Sequence, residues 1–205
     1  MNWFKRLFLT DEAQADEAYR LQCCLEDYCS KCNTAFWQQQ DTQALRTGLY
    51  NHLRRAGFVL QQTVAVETKF PHALNEKQWT IDLLVRFGPH FVPILLLLYS
   101  KETEDTNPAK YAHAVYRHWR HIYQVEKLLA GYKNMPYGYA LLMTDDTYVC
   151  EEYRGHGALH PDSVSPTQVS CEHHATVHVR GQYKHAWREG KGGYRFLLHT
   201  VRPCP

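Results

Sequence analysis

Two rhythms of apolar residues divide this chain of 205 residues. Leu45, Leu49 and Leu53 recur at four-residue spacing, the interval that lines one face of an α-helix, and Gly57 follows as a stop. The next segment, FVLQQTVAVET (58–68), alternates and is rich in branched residues, which predicts a strand. WTIDLLVRF (79–87) reads as a second strand, and Gly88 with Pro89 supplies a turn. VPILLLLYS (92–100) is a short unbroken apolar run, as expected of a central strand buried on both faces. The last two strands should pair as an antiparallel hairpin.

The flanks follow the same logic. Thr10 and Asp11 can cap a helix through DEAQADEAYRLQCCLEDYCSKC, with carboxylates near its positive end. Asn107 followed by Pro108 is a helix start, and Gly131 is a stop, so a long helix is predicted between them. It leads to YGYALLMT (137–144), another buried strand, and then to a turn at Asp145 and Asp146. Residues 151–173 are rich in Gly, Pro, Ser and His without a period and read as a loop or lid. ATVHVRGQY (175–183) and YRFLLHTV (194–201) are predicted as two final strands.

Composition narrows the classes. With 44% hydrophobic and 21% charged residues, the chain can bury one core and is short for two, so residues 1–205 are taken as a single domain. A formal charge of +2 and a pI near 8.1 fall well short of a surface that grips nucleic acid everywhere, so any polyanion site must be local. No apolar stretch approaches the roughly 20 residues of a membrane helix. The opening MNWFKRLFLT has the wrong order of charge and apolar core for a secretory signal. Seven cysteines, an odd number without regular spacing, do not look like a disulfide framework. A cytoplasmic protein with reduced thiols is expected, with no membrane partner and a homo-oligomer left open.

The order helix, strand, two-stranded hairpin, helix, strand over residues 42–150 resembles the core of the PD-(D/E)XK nuclease superfamily. The resemblance is carried by WTIDLLVRFGPHFVPILLLLYSKE, by the helix ending YQVEKLLAG, and by YGYALLMTDDTYV. It implies a restriction-endonuclease-like α/β fold: a mixed central sheet flanked by helices, here with an N-terminal helical extension (1–40) and extra C-terminal strands (174–205). It also implies an aspartate on the second strand and a Glu-x-Lys on the third, arranged around divalent magnesium or manganese. Asp82 falls on the aspartate. Leu95 stands at the glutamate position and Leu97 at the lysine position. Phosphodiester hydrolysis of this kind needs hard oxygen ligands and a cation near the attacking water, and a leucine offers neither.

Two neighbours can be weighed as replacements. Lys101 lies on the same strand face as Leu97, but four residues at about 3.3 Å each put its backbone roughly 13 Å away. Glu67 and Lys69, in AVETKF, spell Glu-x-Lys on the preceding strand, so a site moved onto that strand is an alternative. Their plainer reading is a solvated strand end. Asp82 without partners would be costly to bury, which predicts a place near the sheet edge and hydrogen bonds to backbone or a histidine. It is expected to be a remnant and not a working ligand.

On the long helix, His113, Arg117, Arg120 and Gln124 fall on one stripe, extended by Lys110, while Val115, Trp119, Ile122, Val125 and Leu129 fall opposite. The stripe is expected to face away from the core, either as a contact for phosphate or acidic protein or as a solvated face. Cys29 and Cys32 with Cys171 and His174 have zinc-like spacing within each pair, but the pairs are far apart in sequence, and no zinc or other cofactor is expected. The preferred expectation is a catalytically inactive nuclease-fold protein that binds nucleic acid or a protein partner. Two alternatives stand beside it: an active nuclease using Glu67, Asp82 and Lys69 or Lys101, and a protein-interaction factor of immunity or anti-defence type.

Overall fold

The computed structural model describes residues 11–32, 42–68, 70–100 and 108–204. Helix α1 (Asp11–Lys31) and helix α2 (Thr42–Arg55) precede three strands, β1 (Val59–Glu67), β2 (Gln78–Phe87) and β3 (His90–Tyr99). Helix α3 (Pro108–Gly131) then leads to β4 (Gly138–Thr144) and a one-turn π-helix at Tyr148–Glu152. Four strands close the chain: β5 (Gln168–Val169), β6 (Val177–His178), β7 (Arg188–Glu189) and β8 (Arg195–Val201). The expected α/β class holds, with a mixed six-stranded sheet flanked by helices in the order β1-β2-β3-β4-β8-β7.

The hairpin expected from the turn at Gly88 and Pro89 forms, with Phe87 paired to His90. A parallel pairing of β3 with β4 follows, and β8 returns antiparallel to β4. The parallel pair sits in the middle of the sheet, which is why ILLLL and GYALLMT are buried at every position instead of alternating. ATVHVRGQY is an exception, since only Val177–His178 is a strand, paired to Gln168–Val169 in a separate two-stranded sheet. Its valines alternate toward α3, but Glu126 takes the Arg180 and Gly181 amides and ends strand pairing there.

Two cores lie on the two sheet faces. Leu83, Val85, Leu96 and Leu98 pack with Leu21, Leu25, Leu45, Leu49 and Leu53 of α1 and α2. Ile81, Leu84, Leu95 and Leu97 pack with Val115, Trp119, Ile122, Val125 and Leu129 of α3. Burial of each such side chain contributes about 1.5–3 kcal/mol. Among the described residues, no helix is long and apolar enough to cross a membrane.

Candidate functional site

The β2–β3 ladder runs from Phe87–His90 to Leu83–Ile94 and stops, although both strands continue. At that point the face alternation of β2 slips: Ile81 belongs to the α3 core and Leu83 to the α2 core, with Asp82 between them. On β1 the register passes from Gln62–Leu83 to Val64–Ile81, and the intervening Thr63 has a left-handed φ of 50°. The strands part, and a cleft of about 460 Å³ opens beside the break.

Four elements line it. Helix α2 gives Thr42 and Arg46, the turn before β2 gives Glu76, and β2 gives Gln78, Trp79, Thr80 and Asp82. From β3 come Leu95 and Leu96, and from α3 come Arg117, Arg120, His121 and Gln124. Positions 117, 120, 121 and 124 are three or four residues apart, so one helical stripe faces the opening.

Asp82 is 8% exposed, and both of its oxygens are engaged. Oδ2 accepts the Leu96 amide at 2.8 Å, taking a backbone donor that the parted β2 leaves behind. Oδ1 receives Arg46 Nε at 2.9 Å and Nη2 at 2.6 Å. Arg46 also donates to Thr63 Oγ1 at 3.3 Å, so the strained residue of β1 steadies the guanidinium. Burial raises the Asp82 carboxyl above its usual range, against the Leu96 amide and the Arg46 charge, which lower it. Glu76 pairs with Arg120 Nη2 in the same way. Arg117 is exposed and has no ion pair among the described residues.

Asp82 lies on β2, next to the edge strand β1, and its partners are the expected backbone amide and, in place of a histidine, Arg46. Leu95 and Leu97 are 2% and 1% exposed and belong to the α3 core. Glu67 is exposed and pairs with Gln78, while Asp82 faces Thr63 four positions along, roughly 13 Å away at about 3.3 Å per residue. Glu67 is not among the residues that line the cleft. Lys69 and Lys101 lie outside the described residues, as do Thr10 and Asn107.

The α3 stripe does not simply face away from the core. Gln124 is 7% exposed, Arg120 is half-buried against Glu76, and both turn into the cleft with Arg117. His113 and Lys110 are exposed, and His113 stacks on His174 with ring centres 5.0 Å apart, away from the cleft. Arg46, Glu76 and Trp79 carried no local signal, whereas His121 falls at the margin of the α3 stripe. Arg46 sits beside the periodic Leu45 and reads as an ordinary solvated helix position, and only the tertiary fold brings it to Asp82.

Cys29 and Cys32 lie on the α1–α2 side of the sheet, whereas Cys171 packs on the α3 side and His174 on Tyr116 of α3. The sheet separates the two pairs. Burial holds the Cys29 thiol well above its ordinary range and the Cys32 thiol up to about 11, so neither is a ready thiolate. Among the described residues, no group of three or more His, Cys, Asp or Glu is placed to hold a metal ion.

Comparison with protein-family models, with curated proteins and with solved structures yields no match for this chain. The chemistry of the cleft therefore rests on its own residues. Three guanidinium groups face two carboxylates, leaving a net positive cleft whose floor is apolar at Leu95 and Leu96.

Proposed function

We propose that this chain is a catalytically silent protein of the PD-(D/E)XK nuclease type, with a restriction-endonuclease-like core, that acts by binding nucleic acid through the cleft at Asp82. One observation carries the reading: the guanidinium of Arg46 sits on the carboxylate of Asp82, the residue that the resemblance would assign to a divalent cation. The succession α2, β1, β2, β3, α3, β4, with an antiparallel β2–β3 hairpin and a parallel β3–β4 pair, supports it.

The residues do not fit a magnesium or manganese ion. Magnesium needs several oxygen ligands near 2.0–2.1 Å in octahedral array. Asp82 has both oxygens committed, Glu76 is held by Arg120, and Leu95 and Leu97 bring no donor atoms. An arginine pair with a carboxylate satisfies charge and geometry at once, and it delivers no nucleophile.

What remains is affinity for an anion. Arg117 is exposed at the mouth of the cleft, and Arg120 and Gln124 lie behind it along α3. Phosphate contacts give salt-dependent binding without demanding sequence, in keeping with so modest a total charge. Fluorescence anisotropy with short single- and double-stranded DNA and RNA tests this. Affinity should fall steeply with salt and vanish in Arg117→Glu, with substrates intact after incubation with magnesium or manganese. Metal-dependent cleavage abolished by Asp82→Ala would overturn the silent assignment. Salt-insensitive association with a protein alone would replace the nucleic-acid partner.

A further inference from the structure

Three side-chain nitrogens in this cleft are left without partners by the fold. Trp79 Nε1, Arg120 Nε and His121 Nδ1 are buried and make no hydrogen bond, and all three residues line the same cavity. Trp79 is 2% exposed, so its indole has little access to bulk water. Buried polar atoms are almost always satisfied, and a group of orphans around one opening calls for an explanation. Indole and guanidinium nitrogens only donate, so the missing partner is an acceptor.

The surroundings define that acceptor further. Glu76 occupies Nη2 of Arg120 and leaves the Nε edge uncommitted. Arg117 brings a second guanidinium with no ion pair among the described residues. Burial, together with Arg117 and Arg120 nearby, pushes His121 down to about 3, so its neutral ring has one N–H to give. Leu95 and Leu96, each 2% exposed, give the cleft an apolar part of its lining. Several unmet N–H groups on residues that line one cleft suit a compact polyoxygen anion better than a single carboxylate.

We propose that this cleft holds one phosphate group by direct nitrogen contacts from Trp79, Arg117, Arg120 and His121, with no bridging divalent ion. The inference rests on the binding half of the function proposed above, and it names the atoms that take the phosphate. A nucleic-acid phosphodiester and a free phosphate share this chemistry, and the two are separated experimentally.

The test uses the full chain in EDTA. Inorganic phosphate, and separately a short single-stranded oligonucleotide, is titrated while the indole N–H resonance of Trp79 is followed, with chloride at matched ionic strength as control. The Trp79 indole should shift and saturate with phosphate and with the oligonucleotide, and not with chloride. Calorimetry, which needs no assignment, should find phosphate binding about tenfold weaker in Arg120→Lys, which keeps the charge and loses the Nε–H. Glu76→Gln should bind phosphate more tightly, because it removes a repelling carboxylate. An adventitious ion only, bound with the same affinity by wild type, Arg120→Lys and Glu76→Gln, would overturn the inference. So would a polyglutamate peptide that moves the indole where the oligonucleotide does not. Oligonucleotide binding that is lost in Arg117→Glu but leaves the indole unmoved would sink the phosphate pocket and spare the proposed function. Phosphate binding with no oligonucleotide binding would do the reverse.

Discussion

A single carboxylate joins α3 to the loop beyond β6, and its removal has a calculable cost. Glu126 is 8% exposed. It accepts the Arg180 amide at 3.0 and 3.1 Å, the Gly181 amide at 2.8 Å and the Tyr183 hydroxyl at 2.7 Å. Burial and the adjacent Glu126 together hold the Tyr183 hydroxyl protonated, as a donor must be. Glu126→Ala strands three donors in partly buried positions. At about 1 kcal/mol for each, the low end for an unsatisfied group, the loss is about 3 kcal/mol. For a chain of this size that is roughly 6 to 12 °C in Tm. Glu126→Gln keeps one acceptor oxygen and should lose about a third as much, as should Tyr183→Phe. Urea unfolding and calorimetric melting of the three variants, with the Glu126→Ala/Tyr183→Phe double variant, provide the assay. The double variant should lose less than the sum of the single losses, because both remove the same bond. If Glu126→Ala melts within about 2 °C of wild type, the loop is not held by this residue and the account is wrong.

Further outcomes can be measured with the same preparations. Leu95→Glu with Leu97→Lys, which writes a Glu-x-Lys into β3, should cost more than about 4 kcal/mol, since two charges replace side chains 2% and 1% exposed; near-native stability in urea would show that β3 tolerates charge at these positions. His118, His199 and His185 form a buried row with nitrogens 2.9 and 3.2 Å apart. Burial pushes His185 down to about 4, His199 to about 3 and His118 well below 6.5, so the unfolded chain binds more protons below about pH 6.5. Stability should therefore be full above that pH and decline as pH falls toward 4; an urea midpoint unchanged between pH 7.5 and 5 would exclude the row as the cause. Arg46→Met should destabilise by about 3 kcal/mol by leaving Asp82 buried and unpaired, and adding Asp82→Leu should recover most of that, whereas simple additivity would mean the pair is not coupled.

Much of the fold was legible because it is written in local periodicity. The leucines of α2 and the unbroken run of β3 each report a burial pattern that survives into the tertiary structure. ATVHVRGQY failed for a physical reason: alternation also arises where a loop lays every second side chain on a helix, and Glu126 diverts the amides a strand would use. The site was legible only in halves. Asp82 and the helix positions Arg117, Arg120 and Gln124 could be read from the sequence, but Arg46 stands 36 residues from Asp82 and nothing local marks it. Trp79 read as an apolar strand residue, and its indole nitrogen matters only because the neighbours it meets offer no acceptor.

The two sides of the cleft differ in what fills them, and that difference bears on function. On the β3 side, Leu95 and Leu97 belong to the core under α3 and contribute apolar burial. On the α3 side the opening persists, walled by Arg117, Arg120, His121 and Gln124 and by an indole whose N–H is left unmet. Uncommitted buried donors are a standing cost that a few apolar substitutions on α3 would remove. On the proposed reading, a cavity without oxygen ligands that keeps costly nitrogen donors suits an anion that arrives from outside. If the proposed function holds, that asymmetry separates a binding cleft from an empty relic, and replacing Arg120 and His121 together by leucine should expose it: stability should rise while anion binding disappears.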